Sequence, residues 1–321
     1  MNKPVLLGIA TLLMVCSCTI APSLSFAQQQ GNNYSFVTRW GSSGVGNGQF
    51  SQPLDAAIDS SGNVYVTDFT AIANQVQKFS ANGTFITSWG SLGTGGGAFT
   101  NALSIAADSK GTIYVTDFGN PDHAVQKFAS NGQFMGSWGS TGLGDGQFIT
   151  PGGIAVDSSG NVYVGDFGEN NRIQKFDNNG NFITKWGTPG SGDGQLLNPA
   201  DIAIDSKGII YVADSGNNRI QKFDNNGKFL GKWGTPGIGD GQFNNPVSIG
   251  IDSSDHIFIA DAGNNRIQEF DNNGNFITKW GTLGSGDGQF NNPTGVKIAN
   301  DGKVYVVDQT NHRVEVFSKP F

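Results

Sequence analysis

Cysteine is nearly missing from this chain. Of 321 residues only two are cysteines, Cys16 and Cys18, both close to the N-terminus. Beyond Cys18 no disulfide, Cys-based zinc site or thiol nucleophile can be built. Charge is scarce as well: Asp, Glu, Lys and Arg make up 14% of the chain, against an average of roughly 25%. What charge there is leans acidic, with 19 Lys and Arg against 26 Asp and Glu and a net charge of −7. A basic surface for phosphate backbones is therefore lacking, which sets nucleic acid aside as a partner. Strong helix formers are sparse and the chain holds 48 glycines, a composition that argues against an α protein. After Ala27 no apolar run approaches the roughly 20 residues a membrane-spanning helix needs.

The N-terminus differs from the rest. Lys3 precedes a mostly apolar, uncharged stretch from Val5 to Ile20, and Ser25-Phe26-Ala27 offers small residues at a cleavage site. The pattern predicts a secretory signal peptide over residues 1–27 and a mature chain over 28–321. Val15-Cys16-Ser17-Cys18 is similar to a bacterial lipoprotein box, with Cys18 as the lipidated residue, so a lipid anchor is the second exit route. Either route places the mature chain outside the cytoplasm, as a secreted, cell-surface or periplasmic protein. Cleavage after Ala27 removes both cysteines and Lys3, and the charge becomes −7 − 1 = −8.

The rest is a repeat. Trp-Gly recurs at Trp40, Trp89, Trp138, Trp186, Trp233 and Trp280, at intervals of 49, 49, 48, 47 and 47 residues. Within the unit 146–187, four short strands are predicted. Strand a covers Gly153 to Asp157, strand b Val162 to Asp166, strand c Arg172 to Phe176 and strand d Asn181 to Trp186. Between them lie Ser158-Ser159-Gly160-Asn161 and Asp177-Asn178-Asn179-Gly180, turn sequences with glycine placed for positive φ. Strands b and c are rich in Val, Ile, Tyr and Phe, and strand d alternates between faces. Four antiparallel strands per 40–50 residues are the mark of a propeller blade. The sequence thus predicts an all-β, six-bladed β-propeller of four-stranded antiparallel blades. Five blades are complete between Gln49 and Trp280, and the sixth ends its strand c at Phe317 with too few residues left for a strand d. Asn33 to Trp40 matches Asn273 to Trp280 position by position. The N-terminal strand is therefore expected to complete the last blade and close the ring, which removes open sheet edges.

These phrases resemble NHL repeats: Pro-x-x-Ile-Ala-x-Asp, Tyr-Val-x-Asp, Asn-x-Arg-Ile-Gln-x-Phe and Phe-x-x-x-Trp-Gly, over residues 33–317. The resemblance implies the propeller fold. It does not choose a function, because family members include protein binders, RNA binders and enzymes. The Cys/His cluster of the ubiquitin-ligase members is absent.

Candidate functional residues are sought where the repeat breaks. The tryptophans recur once per blade and read as packing between neighbouring sheets. The strand-b aspartates are Asp68, Asp117, Asp166, Asp214, Asp261 and Asp308; Arg172, Arg219, Arg266 and Arg313 follow them in blades 3 to 6 only. Such pairs suit the guanidinium and read as braces of the b–c loop. Gln75 and Ala124 replace the arginine in blades 1 and 2, so Asp68 and Asp117 are expected to be free acceptors. Phe69, Phe118 and Phe167 follow the strand-b aspartate in blades 1 to 3, where blades 4 to 6 have Ser215, Ala262 and Gln309. An exposed aromatic arc of this kind marks a binding surface, and His123 and Glu169 lie in the adjoining loops. At the channel mouth, strand a is expected to place Asp55 and Asp201 beside Lys297, a pair or an anchor for an acidic ligand. Asp145, Asp193, Asp240 and Asp287, in Gly-rich loops between blades, read as turn residues. His123 and His312 share one face and His256 lies on the other. Three converging zinc ligands are not evident, no metal is assigned, and no cofactor is expected. A Ser/His/Asp set is absent too.

The leading expectation is an exported, non-enzymatic, monomeric propeller that binds a protein, peptide or glycan on the face of the b–c and interblade loops. The alternative is a metal-dependent hydrolase, lactonase or lyase at the channel mouth, resting on Asp55, Asp201 and Lys297.

Overall fold

The computed structural model describes residues 34–69 and 74–319. The segment expected to be a signal peptide, with Cys18, lies outside the described residues. Six four-stranded antiparallel sheets form the molecule. Blade 4 is representative, with strand a Pro199–Ile204, b Ile210–Asp214, c Arg219–Phe223 and d Phe229–Trp233. Blades 1, 2, 3 and 5 occupy residues 53–89, 102–138, 150–186 and 246–280. Blade 6 takes Pro293–Ile298, Val304–Asp308 and Arg313–Ser318 from the C-terminal end, and its outer strand is Ser35–Trp40. That strand pairs antiparallel with Arg313–Ser318, from Ser35 opposite Ser318 to Trp40 opposite Val314. The ring is closed by the chain's two ends, as the sequence predicts.

Strand a starts at the proline in blades 1, 4, 5 and 6, and blade 3 opens at Thr150, earlier than the Gly153 that the apolar pattern suggests. Pro151 pairs with Asp166 across an irregularity in the ladder. Proline suits a first strand position because it has no N–H to donate. Strand d starts at Phe182, one residue later than expected. Asn181 is held in the preceding turn, where its N–H donates to Asp177 Oδ1 at 2.9 Å.

The core lies between sheets. Phe50, Val64, Val66 and Phe79 of blade 1 pack on Tyr305, Val307, Val314 and Val316 of blade 6, and the same pattern recurs at each junction. Strand b is buried from its first residue to the aspartate in every blade. Each large side chain enclosed this way contributes roughly 1.5–3 kcal/mol. The tryptophans pack between sheets as expected: Trp40 meets Phe79 and Tyr305. Its indole lies against the strand c–d turn of the next blade, where a Cβ on Gly83 would sit 2.6 Å from the ring. Glycine is required there twice over, since φ is +84°.

Candidate functional site at the loop face and axis

Strand a of each blade runs along the axis. The residue two after the opening proline or its equivalent is Asp55, Ser104, Gly153, Asp201, Ser248 and Gly295. Asp-Ser-Gly thus occurs twice around the ring, once per half. Both halves bond alike. Ser104 Oγ donates to Asp55 Oδ2 at 2.6 Å, and Ser248 Oγ donates to Asp201 Oδ2 at 2.9 Å. Ile105 N–H and Ile249 N–H donate to the same two oxygens at 3.2 and 2.9 Å. Glycine ends each half because the next aspartate comes close: a Cβ on Gly153 would lie 2.4 Å from Asp201 Cα.

Two residues further along strand a come Ala57, Ala106, Ala155, Ala203, Gly250 and Lys297. Lys297 breaks the twofold pattern and joins the halves. Its Nζ lies 2.9 Å from Asp201 Oδ2 and 3.3 Å from Asp55 Oδ1. Burial pushes the Asp55 carboxyl up, Lys297 counters this, and Asp201 adds to it. Burial works against the Lys297 ammonium, but Asp201 and Asp55 together hold it charged well above the usual lysine range. The expected Asp55–Lys297 pair is present, and Asp201 makes it a three-membered ion cluster across the axis. Truncating one member would leave buried charge uncompensated.

The strand-b aspartates are all fully enclosed. In blade 4, Asp214 Oδ1 accepts from Leu197 N–H at 2.7 Å and Oδ2 from Arg219 Nε at 2.6 Å. The rest of the guanidinium turns to the preceding interblade loop, donating to Ser191, Gly192 and Gln195 carbonyls at 2.7, 2.8 and 2.9 Å. Arg266 and Arg313 repeat this pattern, and Arg172 makes the same loop contacts with its Nε 3.4 Å from Asp166. The arginine therefore clamps the interblade loop, beyond the b–c loop that the sequence suggested. It also shows that the two loop sets share one face.

Blades 1 and 2 correct an expectation. Asp68 and Asp117 are not free acceptors, because both are enclosed and bonded. Asp68 Oδ1 accepts from Ser51 and Gln52 N–H at 2.9 and 2.8 Å. Asp117 Oδ2 accepts from Asn120 Nδ2 at 2.7 Å and Gln126 Nε2 at 3.2 Å. Equivalent amides serve Asp214 and Asp261 beside their arginines, and in blades 1 and 2 the neutral donors suffice without one. Burial pushes the Asp68 carboxyl up to about 6, against the hydrogen bonds from Gln52, Ser51 and Gln75; Asp117 is raised for the same reason.

Phe69, Phe118 and Phe167 are half-buried at this end of three consecutive blades. Their backbones are fixed by bonds to the segment before strand a, Phe69 N–H to Gln52 O and Phe118 N–H to Asn101 O. The Phe167 ring lies over Gly152, where a Cβ would meet it at 2.4 Å; blades 1 and 2 carry Leu54 and Leu103 at that position. His123 Nδ1 is 2.6 Å from Ser137 Oγ of its own outer strand. Glu169 is exposed.

The loop aspartates do more than turn the chain. Asp145, Asp193, Asp240 and Asp287 pair with Lys185, Lys232, Lys279 and Arg39 of strand d at 2.5, 2.6, 2.5 and 2.9 Å. The signal was readable: Ser88 and Ser137 replace the cation in the two blades whose loops lack the aspartate. A cleft of about 240 Å³ lies elsewhere, between Ile58, Asp59, Ala107, Asp108, Ile298 and Ala299 at the far ends of strand a.

The NHL repeat matches residues 148–176, 196–223, 243–270 and 290–317, the first three strands of blades 3 to 6. This chain is an NHL-repeat propeller. The four matched blades of the NHL-repeat propeller are those with the arginine clamp. No curated protein matches it. Among solved structures it is similar to a streptogramin B lyase, at 16% identity and a TM-score of 0.61, covering 90% of this chain and 98% of that one. A gluconolactonase from Xanthomonas campestris gives 10% identity and a TM-score of 0.62, covering 85% and 88%. An auxiliary nutrient binding protein from Bacteroides thetaiotaomicron gives 13% and 0.62, covering 84% and 69%. At these identities the likeness is one of fold. Among the described residues no helix is long and apolar enough to cross a membrane.

Proposed function

We propose that this NHL-repeat propeller is an exported, non-enzymatic binding module that takes a protein, peptide or glycan on the face of its b–c and interblade loops. One observation carries the reading: three half-buried phenylalanines stand on consecutive blades where the other three have Ser, Ala and Gln. Aromatic anchors commonly dominate such contacts. His123 and Glu169 supply polar groups at the rim, while Asp68 and Asp117 lie beneath and act through their field rather than by contact. The similarity to a nutrient binding protein supports the same class.

The second reading is a hydrolase, lactonase or lyase at the channel mouth. It is favoured by the buried carboxyl of Asp55, raised above the ordinary range, and by the fold neighbours that are enzymes. The mutual bonding of Asp55, Asp201 and Lys297 speaks against it, since each charged group is already engaged.

The test is a screen of peptide and glycan arrays with the purified chain, followed by Phe118→Ala, the middle of the arc. Hits should weaken at least tenfold, about 1.4 kcal/mol, with little change in thermal midpoint. If Phe118→Ala unfolds the protein, the ring is core. If affinity stays as it was, the surface is not the binding site.

A further inference from the structure

On the opposite face, blade 5 departs from the repeat at three positions that converge. In blades 1, 3 and 4 the aspartate of the a–b turn is fully used. Its Oδ1 accepts turn N–H groups, and its Oδ2 accepts a tyrosine hydroxyl: Tyr65 to Asp59 at 2.8 Å, Tyr163 to Asp157 at 3.0 Å, Tyr211 to Asp205 at 3.1 Å. In blades 1 and 3 an amide from Asn63 or Asn161 adds a bond of 2.8 Å to that Oδ2. Blade 5 keeps the first half of this arrangement, with Ser254 and His256 N–H donating to Asp252 Oδ1 at 2.8 and 2.9 Å. It drops both donors to Oδ2, because Phe258 replaces the tyrosine and His256 the asparagine.

The third departure lies on strand c. Lys78, Lys127, Lys175 and Lys222 each donate to a carbonyl in the next blade's turn. Blade 5 has Glu269 there, fully buried. Its Oε2 has no hydrogen-bond partner among the described residues. Buried carboxylate oxygens are rarely left so. Each of Asp252, His256 and Glu269 offers a ligand atom within 4.8 Å of the others. His256 Nδ1 is 3.1 Å from Glu269 Oε1 and 3.4 Å from Asp252 Oδ2. Lys319 of blade 6 lies 2.7 Å from Glu269 Oε1 and over the Tyr34 ring at 5.3 Å. The lysine side chain is 43% exposed, so it can move to solvent when another cation arrives. Tyr34 completes the surroundings, its hydroxyl pushed above the usual range by burial and by Glu269 and Asp252.

We propose that Asp252, His256 and Glu269 form a site for one divalent transition-metal ion, with Zn²⁺ the best match, at the seam between blades 5 and 6. One imidazole and two carboxylates form a three-ligand set that leaves a fourth position open. The nitrogen ligand favours Zn²⁺ and its neighbours over Mg²⁺ and Ca²⁺, which prefer oxygen alone. Three substitutions that each undo a bond of the repeat make sense together if a cation takes up the released oxygens.

The experiment uses the chain made without a histidine tag and stripped with a chelator. Calorimetric titration with Zn²⁺ should show one equivalent bound with a Kd of about 1 μM or tighter, and Co²⁺ should give visible bands of near-tetrahedral coordination. His256→Asn and Glu269→Lys put back the residues other blades carry, so both variants should fold. Each should weaken Zn²⁺ binding at least tenfold, while His123→Ala and His312→Ala leave it unchanged. No Zn²⁺ uptake by the parent chain, or uptake that survives both blade-5 variants, overturns the proposal and leaves a histidine merely close to two carboxylates.

Discussion

Blades 3 to 6 and blades 1 and 2 have the same strands, the same tryptophan packing and the same buried strand-b aspartate, yet they hold their loops differently. In blades 3 to 6 an arginine ties the aspartate to the interblade loop, and a strand-d cation pairs with a loop aspartate. Blades 1 and 2 lack the arginine, the cation and the loop aspartate together. Their carboxylates are satisfied by neutral donors. The clamp is therefore one unit, gained or lost as a whole, and the ring does not depend on six copies of it. Blades 1 and 2 also carry two of the three phenylalanines of the arc. The less constrained third of the ring is where surface chemistry is free to vary.

Four predictions probe that difference. The largest effect is expected from removing residues 28–40, which asks whether four clamped blades hold the ring without its closing strand. Deletion strips the partner from Arg313–Ser318 and opens an edge that invites aggregation. Loss of cooperative unfolding is expected, and unchanged melting would show that closure is dispensable.

Next comes the same substitution placed in each region. Asp214→Asn in blade 4 leaves Arg219 buried without its carboxylate and should cost about 3 kcal/mol or more in urea unfolding. Asp68→Asn in blade 1 should behave in the opposite sense above pH 6. The Asp68 carboxyl is raised to about 6 in the folded chain, above the ordinary aspartate value of about 3.9. Between these values the folded state binds the extra proton, so stability falls as pH rises from about 4 to 6 and the loss is complete above that. The amide removes this dependence, on the order of 3 kcal/mol, while its Oδ1 still accepts Ser51 and Gln52 N–H. Stability measured against pH should be flatter for the variant, and a parallel curve would contradict the assignment. The smallest effect belongs to Lys232→Ser, which gives blade 4 the residue of blades 1 and 2. The pair with Asp193 is about half-exposed, and the change in stability should stay within about 0.5 kcal/mol.

Much of the architecture was legible in the residues. The Trp-Gly period set the number of blades, and the match of Asn33 to Trp40 with Asn273 to Trp280 told which strand closes the ring. These features are local or periodic, so composition and spacing carry them. The strand-c arginines were seen too, but only half of their work, because their loop carbonyls lie 24 to 28 residues away. Asp68 and Asp117 were misread as free because the arginine is only one of several donors, and the backbone N–H and amide donors that remain come from other segments.

What the sequence determined by itself is the blade, its repeat and its closure, since each depends on hydrophobic alternation, turn chemistry and count. Only the tertiary structure decided which residues meet across blades. Lys297 and Asp201 are 96 residues apart and come within 2.9 Å because a ring of six returns blade 6 to the rest of the axis. His256 and Glu269 meet through the pairing of strands b and c of blade 5, and Lys319 reaches them only because blade 6 packs beside that blade. Spacing along the chain says that a residue departs from its repeat; the radius and order of the ring decide what it then faces.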